Sequence, residues 1–519
     1  MAVVPVLAFC IAAIVALGLV AVWGGDQRAR VTGALLEAGM LACLAAAIAA
    51  IGPLATAGPL ASGLLGWNGL GLAIRLDAVS LPVCILVAFI GWVVLRFART
   101  YLAEEPRRAA FLGWLAFTLA SVLAFTCAGN LVQLVLAWIA TSLCLHKLLL
   151  FYPHRPAAQR AARKKFITAR LADAALVGAA ALLAIHYASF DIATILETAR
   201  QGEISPVTTF AALLLALAAV LKSAQFPLHG WLTEVMEAPT PVSALLHAGV
   251  INAGGFLLIR FADVMLLSSG VMAGLVMIGG FTAMFGGLVM LTQPAVKTSL
   301  AWSTVAQMGF MIMQCGLALF PLALLHIIAH SLYKAHSFLA SGGAVERIAA
   351  QSRPGPVAIP DARAVLTAFL AALGIYLVFG WALGFQDKSP QSNALGAILI
   401  FGVAYLLAQG LAGAAPVALM RRMVAYSVIA SLGYFVLHML ADALTAGTLP
   451  PTPAPGPLEW VLIALAVVSF ALVAVAQSMF PLWAYHPAAA GLRVHLSNGL
   501  YVNALFDRLL RGWAVRPRI

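Results

Sequence analysis

Stretches of about 20 residues without a charge recur along most of the chain, separated by short polar and basic connections. An α-helix needs about 20 predominantly apolar residues to cross about 30 Å of hydrocarbon, so each stretch reads as one span. Barrel strands would instead alternate apolar and polar residues in segments of about 10. The pattern predicts about 15 helical spans, at roughly 3–23, 31–52, 76–95, 110–128, 130–150, 166–187, 206–224, 239–259, 267–290, 298–318, 320–343, 364–384, 394–417, 423–441 and 458–480. The fold class is therefore all-α and integral to the membrane. The longest polar region is the tail after about residue 481.

Composition agrees with the pattern: of 519 residues, 63% are apolar and 9% charged, where soluble domains are about half apolar and a quarter charged. Residues 2–25 carry no charge and lack the basic start of a cleaved signal peptide, so they read as a retained first helix. Six cysteines stand singly in apolar segments, without metal-like spacing, and read as small hydrophobes. The formal charge of +12 raises the question of a nucleic-acid partner. The basic residues follow the loops instead, which answers it.

Alternating the connections from an external N-terminus puts 22 Lys/Arg on the inside and four, Arg75, Arg200, Arg260 and Lys388, on the outside. That is a positive-inside bias with the C-terminus in the cytoplasm. Four cations remain within spans: Lys147, Arg170, Lys222 and Lys334. A cation at mid-bilayer costs at least about 2.5–3.5 kcal/mol, which makes such residues functional candidates by default.

Lys222 opens the run KSAQFPLHGW at the end of an alanine- and leucine-rich helix. Pro227 has no backbone N–H, so the helix is expected to break just after Lys222 and free carbonyls for water or a cation. A lysine desolvated there suits proton uptake and release; the alternative is a helix-end lysine that snorkels to the interface. Glu234 and Glu237 follow, then Pro239 and Pro241, which start a helix and place His247 about two turns inside it. His326, His330 and Lys334 recur at i, i+4, i+8 with Tyr333 and His336 alongside, a ladder on one face about 6 Å apart per step that suits a water-completed proton chain. A His pair could also hold a metal, but no acid or cysteine in that helix completes such a site. Arg170 and Asp173 are i, i+3 neighbours that can neutralise one another, as a structural pair or as a field-tuning switch. Lys147 reads as snorkelling, and Asp77, opening the third helix, as interfacial.

The motifs KKFITARLAD, KSAQFPLHGW, MEAPTPVSALLHAGVINAGGF, LAWSTVAQMGFM and HIIAHSLYKAHSFLASG lie in order between about residues 164 and 343. They resemble the antiporter-like subunits of respiratory complex I and of Mrp-type cation/proton antiporters. The resemblance implies two inverted five-helix repeats with broken helices, spans 4–8 (residues 110–260) and 9–13 (261–418), between N-terminal helices 1–3 (1–109) and a C-terminal part (419–519). It also implies that Lys222 matches the seventh-helix lysine, His247 the eighth-helix relay residue, and Lys334 with His330 and His326 the central relay.

Two departures matter. The family's fifth-helix glutamate, which follows a tryptophan and pairs with the seventh-helix lysine, is replaced in Trp138-Ile139, so Asp173 or Glu237 is expected to supply the missing charge. The twelfth-helix lysine has no clear match, because Lys388 in VFGWALGFQDKSPQ falls outside the span. AWIATSLCLHKLLLFYP and the end HLSNGLYVNALFDRLL are similar to the DabB family, membrane subunits of a two-component inorganic-carbon accumulation system. That family's partner, DabA, is a large zinc protein related to β-carbonic anhydrases. The resemblance implies a subunit in the cell inner membrane through which proton entry drives CO2 hydration to bicarbonate on the partner. It is expected to hold no cofactor or metal and to catalyse no covalent chemistry itself. A redox-driven pump subunit and a sodium/proton antiporter subunit are the alternatives, with H+ or Na+ as the coupling ion; a structural anchor with a vestigial relay is a further one.

Overall fold

A computed structural model describes residues 3–202, 204–343, 360–385, 388–411, 416–478 and 486–509. Its long helices follow the expected spans in order: α1 (Val3–Trp23), α2 (Asp26–Ala57), α3 (Ser80–Tyr101), α4 (Arg108–Thr126), α5 (Leu131–Leu149), α6 (Pro156–His186), α7 (Pro206–Lys222), α8 (Thr240–Arg260), α9 (Ser269–Met290), α10 (Val296–Gly316), α11 (Phe320–Leu339), α12 (Ala362–Ala382), α13 (Pro390–Leu411), α14 (Val417–Thr445) and α15 (Pro457–Ser478). Among the described residues, twelve of these are long and apolar enough to cross a membrane. The others are α7, which has only 17 residues, and α10 and α11, which bury polar residues such as Thr304, Gln314, His330 and Lys334. The protein is a multi-pass helical membrane protein.

The apolar core runs through α1–α11, with α3, α8 and α11 meeting near its centre. α9 and α10 approach most closely, because a Cβ on Gly279, Gly309 or Gly316 would lie within 2.4–2.6 Å of the facing backbone. Small residues give membrane helices this kind of contact where apolar burial alone offers no gain over lipid. α13 and α15 attach to α9–α11 through a smaller apolar cluster, and another joins α12 to α13.

Several local features depart from the sequence reading. Between α2 and α3, two short antiparallel pairs form, Leu60–Ala61 with Arg75–Leu76 and Leu65–Trp67 with Leu70–Leu72. An amphipathic helix, Ile192–Gln201, joins α6 to α7, and the polar tail carries helices Pro487–Ser497 and Val502–Leu509. Arg347, Arg353, Arg511, Arg516 and Arg518, counted among the inside charges, lie outside the described residues.

Asp77 is not interfacial, and Arg260 is not a loop charge. Arg260 Nη1 and Nη2 donate to the two Asp77 oxygens at 2.6 and 3.2 Å, and both side chains are almost wholly buried. Asp77 also accepts from the backbone N–H groups of Val79 and Ser80, which starts α3 while α8 ends on the same carboxylate. Arg75 Nε also donates to Asp77 at 3.2 Å but is itself about one-quarter exposed, so removing Arg260 leaves the buried carboxylate only partly compensated, and breaking a buried pair costs up to about 3–5 kcal/mol. Arg260→Ala is thus expected to lower thermal stability strongly in detergent, as read from tryptophan fluorescence, whereas the exposed Arg422→Ala leaves it unchanged.

Candidate functional site

The sequence breaks two helices at the centre of the bundle. α7 ends at Lys222 because Pro227 offers no N–H to continue it and Ala224 turns to φ +49°. The turn is fastened by Ser223 Oγ donating to the Ile251 carbonyl at 3.0 Å and by the Phe226 N–H donating to Thr282 Oγ1 at 3.1 Å. α8 is interrupted at Gly249, whose φ −123° and ψ −79° are not helical.

Lys222 sits inside the bundle and does not reach an interface. Its Nζ lies 4.1 Å from the centre of the Trp138 ring, and no hydrogen-bond partner reaches it among the described residues. It lines a mostly apolar cavity of about 40 Å³, walled by residues such as Val87, Leu119 and Phe256, in which Trp138, Thr141, Asn252 and Ser331 are among the polar neighbours. Asn252 donates to Ser331 Oγ at 2.9 Å, and its own Oδ1 is unpaired. The cavity thus joins α5, α7, α8 and α11.

Besides Lys165, the charged side chains that act on Lys222 are Asp173 and Arg170. They form an ion pair at 2.6 Å, with Asp173 buried and Arg170 about one-third exposed. Oδ2 is engaged by the Arg170 guanidinium, and Oδ1, without a hydrogen-bond partner among the described residues, is left to attract a second cation. Glu237 is not brought to Lys222: it pairs with Arg155 at 3.2 Å, and both side chains are about half exposed.

A second cluster lies across α8, α10 and α11. His247 is fully buried, its Nδ1 3.0 Å from Thr304 Oγ1 and its ring stacked on Phe338. His330 Nε2 lies 3.1 Å from the His247 carbonyl. A carbonyl only accepts, so His330 carries its proton on Nε2. That carbonyl is available because His247 stands in the last turn before the break, where helix carbonyls lack intrahelical partners. The His326 and His330 rings are 5.9 Å apart, and the buried Lys334 Nζ is 3.3 Å from the Leu300 carbonyl. Ile327 and Ser331 of α11 line the Lys222 cavity, while His330 and Lys334, one turn apart on the same helix, stand outside its lining.

Beyond His326 the space widens. One cavity of about 470 Å³ is lined by Gln307, Gln314, His326, His330, Tyr333 and Tyr434, and a neighbouring one of about 500 Å³ shares Gln307 and His326. Tyr434 packs against the buried His438, whose Nε2 is 3.5 Å from Asp442; Lys388 donates to the same carboxylate at 2.5 Å. No third Cys, Asp or Glu completes a metal site with His326 and His330 among the described residues.

Three features escaped the sequence. Lys165, assigned to a loop, is buried in α6 and donates to the Ser142 carbonyl and hydroxyl at 2.5 and 3.0 Å. Lys164, also assigned to a loop, is buried and binds Glu234, Asp507 and Asn503 at 2.7, 2.7 and 2.8 Å, which docks the tail helix on the turn after α7. The signal was Pro156, which starts α6 about three turns earlier than the apolar run does. The Lys388–Asp442–His438 group joins two segments far apart in sequence, and spacing gives no sign of it.

The family described as NADH:quinone oxidoreductase/Mrp antiporter, TM, matches residues 128–353, and the complex I chain 5 N-terminus family matches residues 68–112. The chain is 39% identical over 465 residues to the probable inorganic carbon transporter subunit DabB2 of Halothiobacillus neapolitanus, covering 88% of this chain and 83% of the relative. It is 46% identical over 287 residues to the probable inorganic carbon transporter subunit DabB of Hydrogenovibrio crunogenus, covering 54% and 55% of the two chains. A chain of the Mrp complex from Dietzia sp. shares the fold, with a TM-score of 0.64 at 22% identity over 98% of this chain and 59% of that one. These relatives are transporter subunits, and this chain belongs to the DabB family of inorganic carbon transporter subunits, within the antiporter-like membrane proteins of complex I and Mrp type.

Proposed function

We propose that this chain is the proton-conducting subunit that energises inorganic-carbon accumulation. In this reading, protons cross through Lys222, the Asn252–Ser331 cavity, His247, His330, Lys334 and His326, then leave by the wider cavities toward Tyr434 and the Lys388–Asp442 pair. Arg170 and Asp173 set the field at Lys222. The observation that carries it is the cavity connecting Lys222 to the helix that bears His330 and Lys334, with orphaned polar atoms on both sides. Buried polar groups without partners are rare and are where water chains form.

The path supplies a driving force, and the chemistry belongs to a second protein. A zinc-containing, DabA-type partner would hydrate CO2 to bicarbonate, made one-way by proton entry. The names of the DabB relatives support a carbon role. The reading further takes α4–α8 and α9–α13 as inverted repeats in the cell inner membrane, with the N-terminus outside and the C-terminus cytoplasmic. The excess of Lys/Arg on one set of connections supports that orientation.

The test is growth in air of a carbonic-anhydrase-deficient host carrying this chain and its partner. Growth is expected, with loss on adding a protonophore and in Lys334→Ala. Growth that persists in both conditions overturns the reading, and growth that follows the sodium gradient alone moves the coupling ion to Na+.

A further inference from the structure

Where α2 begins, α3 ends and α4 begins, a separate cavity of about 620 Å³ opens at one end of the bundle, lined by Arg30, Glu37, Arg96, Arg99, Thr100 and Arg108 among others. Four guanidiniums and one carboxylate line it, and only Arg99 and Arg96 reach that carboxylate. Glu37 is engaged closely by Arg99, while Arg96 Nη1 stands 3.9 Å away with its side chain largely exposed. Arg108 donates to the Ala103 carbonyl at 2.7 Å, which holds it in place without neutralising it. Arg30 has no ion-pair or hydrogen-bond partner among the described residues. The cavity therefore carries a surplus of positive charge.

Two observations separate this cluster from ordinary loop arginines. Gly33 lets the Arg99 stem lie directly on α2, since a Cβ there would meet Arg99 Cδ and Leu112 Cδ1 at 3.2 Å. The Arg99 side chain is thus built into the seam between helices. The adjacent N-terminus of α4 is already occupied, because Asp26 accepts from the N–H groups of Arg107 and Ala109 at 2.9 and 2.7 Å. An incoming anion is left to the guanidiniums.

We propose that this cavity binds the phosphodiester headgroup of an anionic membrane lipid. Guanidinium matches a phosphodiester with paired donors, and basic pockets between helix ends take such headgroups. On the outer surface of this end of the bundle, Val31 and Leu35 of α2 are 64% and 49% exposed and Trp23 at the end of α1 is 78% exposed, though none of them lines the cavity. The acyl chains lie there while the headgroup enters the cavity. The site is independent of the proton path.

The experiment is lipid retention by the purified full-length protein, read by native mass spectrometry after exchange into phosphatidylglycerol or phosphatidylcholine. The wild type is expected to retain phosphatidylglycerol preferentially, and R30Q/R96Q to lose that preference by about tenfold or more, since a charged hydrogen bond contributes about 1.5–3 kcal/mol. R421Q/R422Q, also basic but away from the cavity, keeps it. Arg99 and Glu37 remain in R30Q/R96Q, so an unchanged thermal unfolding curve certifies the fold. Equal phosphatidylglycerol retention in wild type and R30Q/R96Q overturns the proposal. So does protection of Arg30 from phenylglyoxal by millimolar bicarbonate or inorganic phosphate but not by phosphatidylglycerol, which assigns the cavity to a soluble oxyanion.

Discussion

Lys222→Arg is expected to reduce proton conduction as severely as Lys222→Ala, by on the order of 10²-fold or more, although the charge is kept. The reason is chemical: a guanidinium is not deprotonated in proteins, whereas an ammonium can release its proton. A structural role would give the opposite order, because arginine would preserve the cation over the Trp138 ring, where Lys222 Nζ now lies at 4.1 Å. The measurement is acidification of proteoliposomes containing the purified protein with its partner, followed with an entrapped pH dye under an imposed potential. Arginine conducting near the wild-type rate with alanine inactive would reduce Lys222 to a fixed charge. Both variants conducting normally would remove it from the path.

Lys222 was visible in the sequence because a cation inside an apolar run is costly and Pro227 marked where its helix must stop. The same subtraction exposed Lys334, and the i, i+4 spacing exposed its two histidines. It failed for Lys165, whose neighbours Lys164, Arg163 and Arg160 make the segment look like a basic loop. Burial there depends on Ser142 of α5 and on the tail residues Asn503 and Asp507, which lie more than 300 residues away from Lys164 in sequence. Asp77 and Arg260 failed for a related reason: each stands at the edge of an apolar run, and only their mutual contact shows that both are buried. Periodicity reports which face of one helix is apolar; it carries no information about which charges from separate helices meet. Glu237 illustrates the converse, an acid close to Lys222 in sequence that folding turns outward to Arg155.

Asp173→Asn is expected to cut conduction about 10- to 100-fold while leaving the fold intact, since asparagine keeps the shape and removes only the charge. Of the two acids that could stand in for the missing fifth-helix glutamate, Asp173 is buried in the bundle, whereas Glu237 is half exposed on Arg155. Its single ion-pair partner, Arg170, is itself about one-third exposed and screened by solvent, so the carboxylate is not fully neutralised within the pair. A carboxylate with one oxygen on Arg170 and the other without a hydrogen-bond partner can share its attraction between Arg170 and a protonated Lys222. Removing it leaves Arg170 and Lys165 as unopposed like charges around Lys222, and the ammonium form becomes harder to reach. Ile139, next to the tryptophan that carries Lys222, is half-buried against the core on α5. Ile139→Glu in the Asp173→Asn background therefore returns a carboxylate from the neighbouring helix, and partial recovery of proton uptake is expected. Asp173→Asn proteoliposomes that acidify at the wild-type rate would show that the Lys222 field has another source. Recovery by Ile139→Gln as well as by Ile139→Glu would show that polarity, and not charge, is what the site requires.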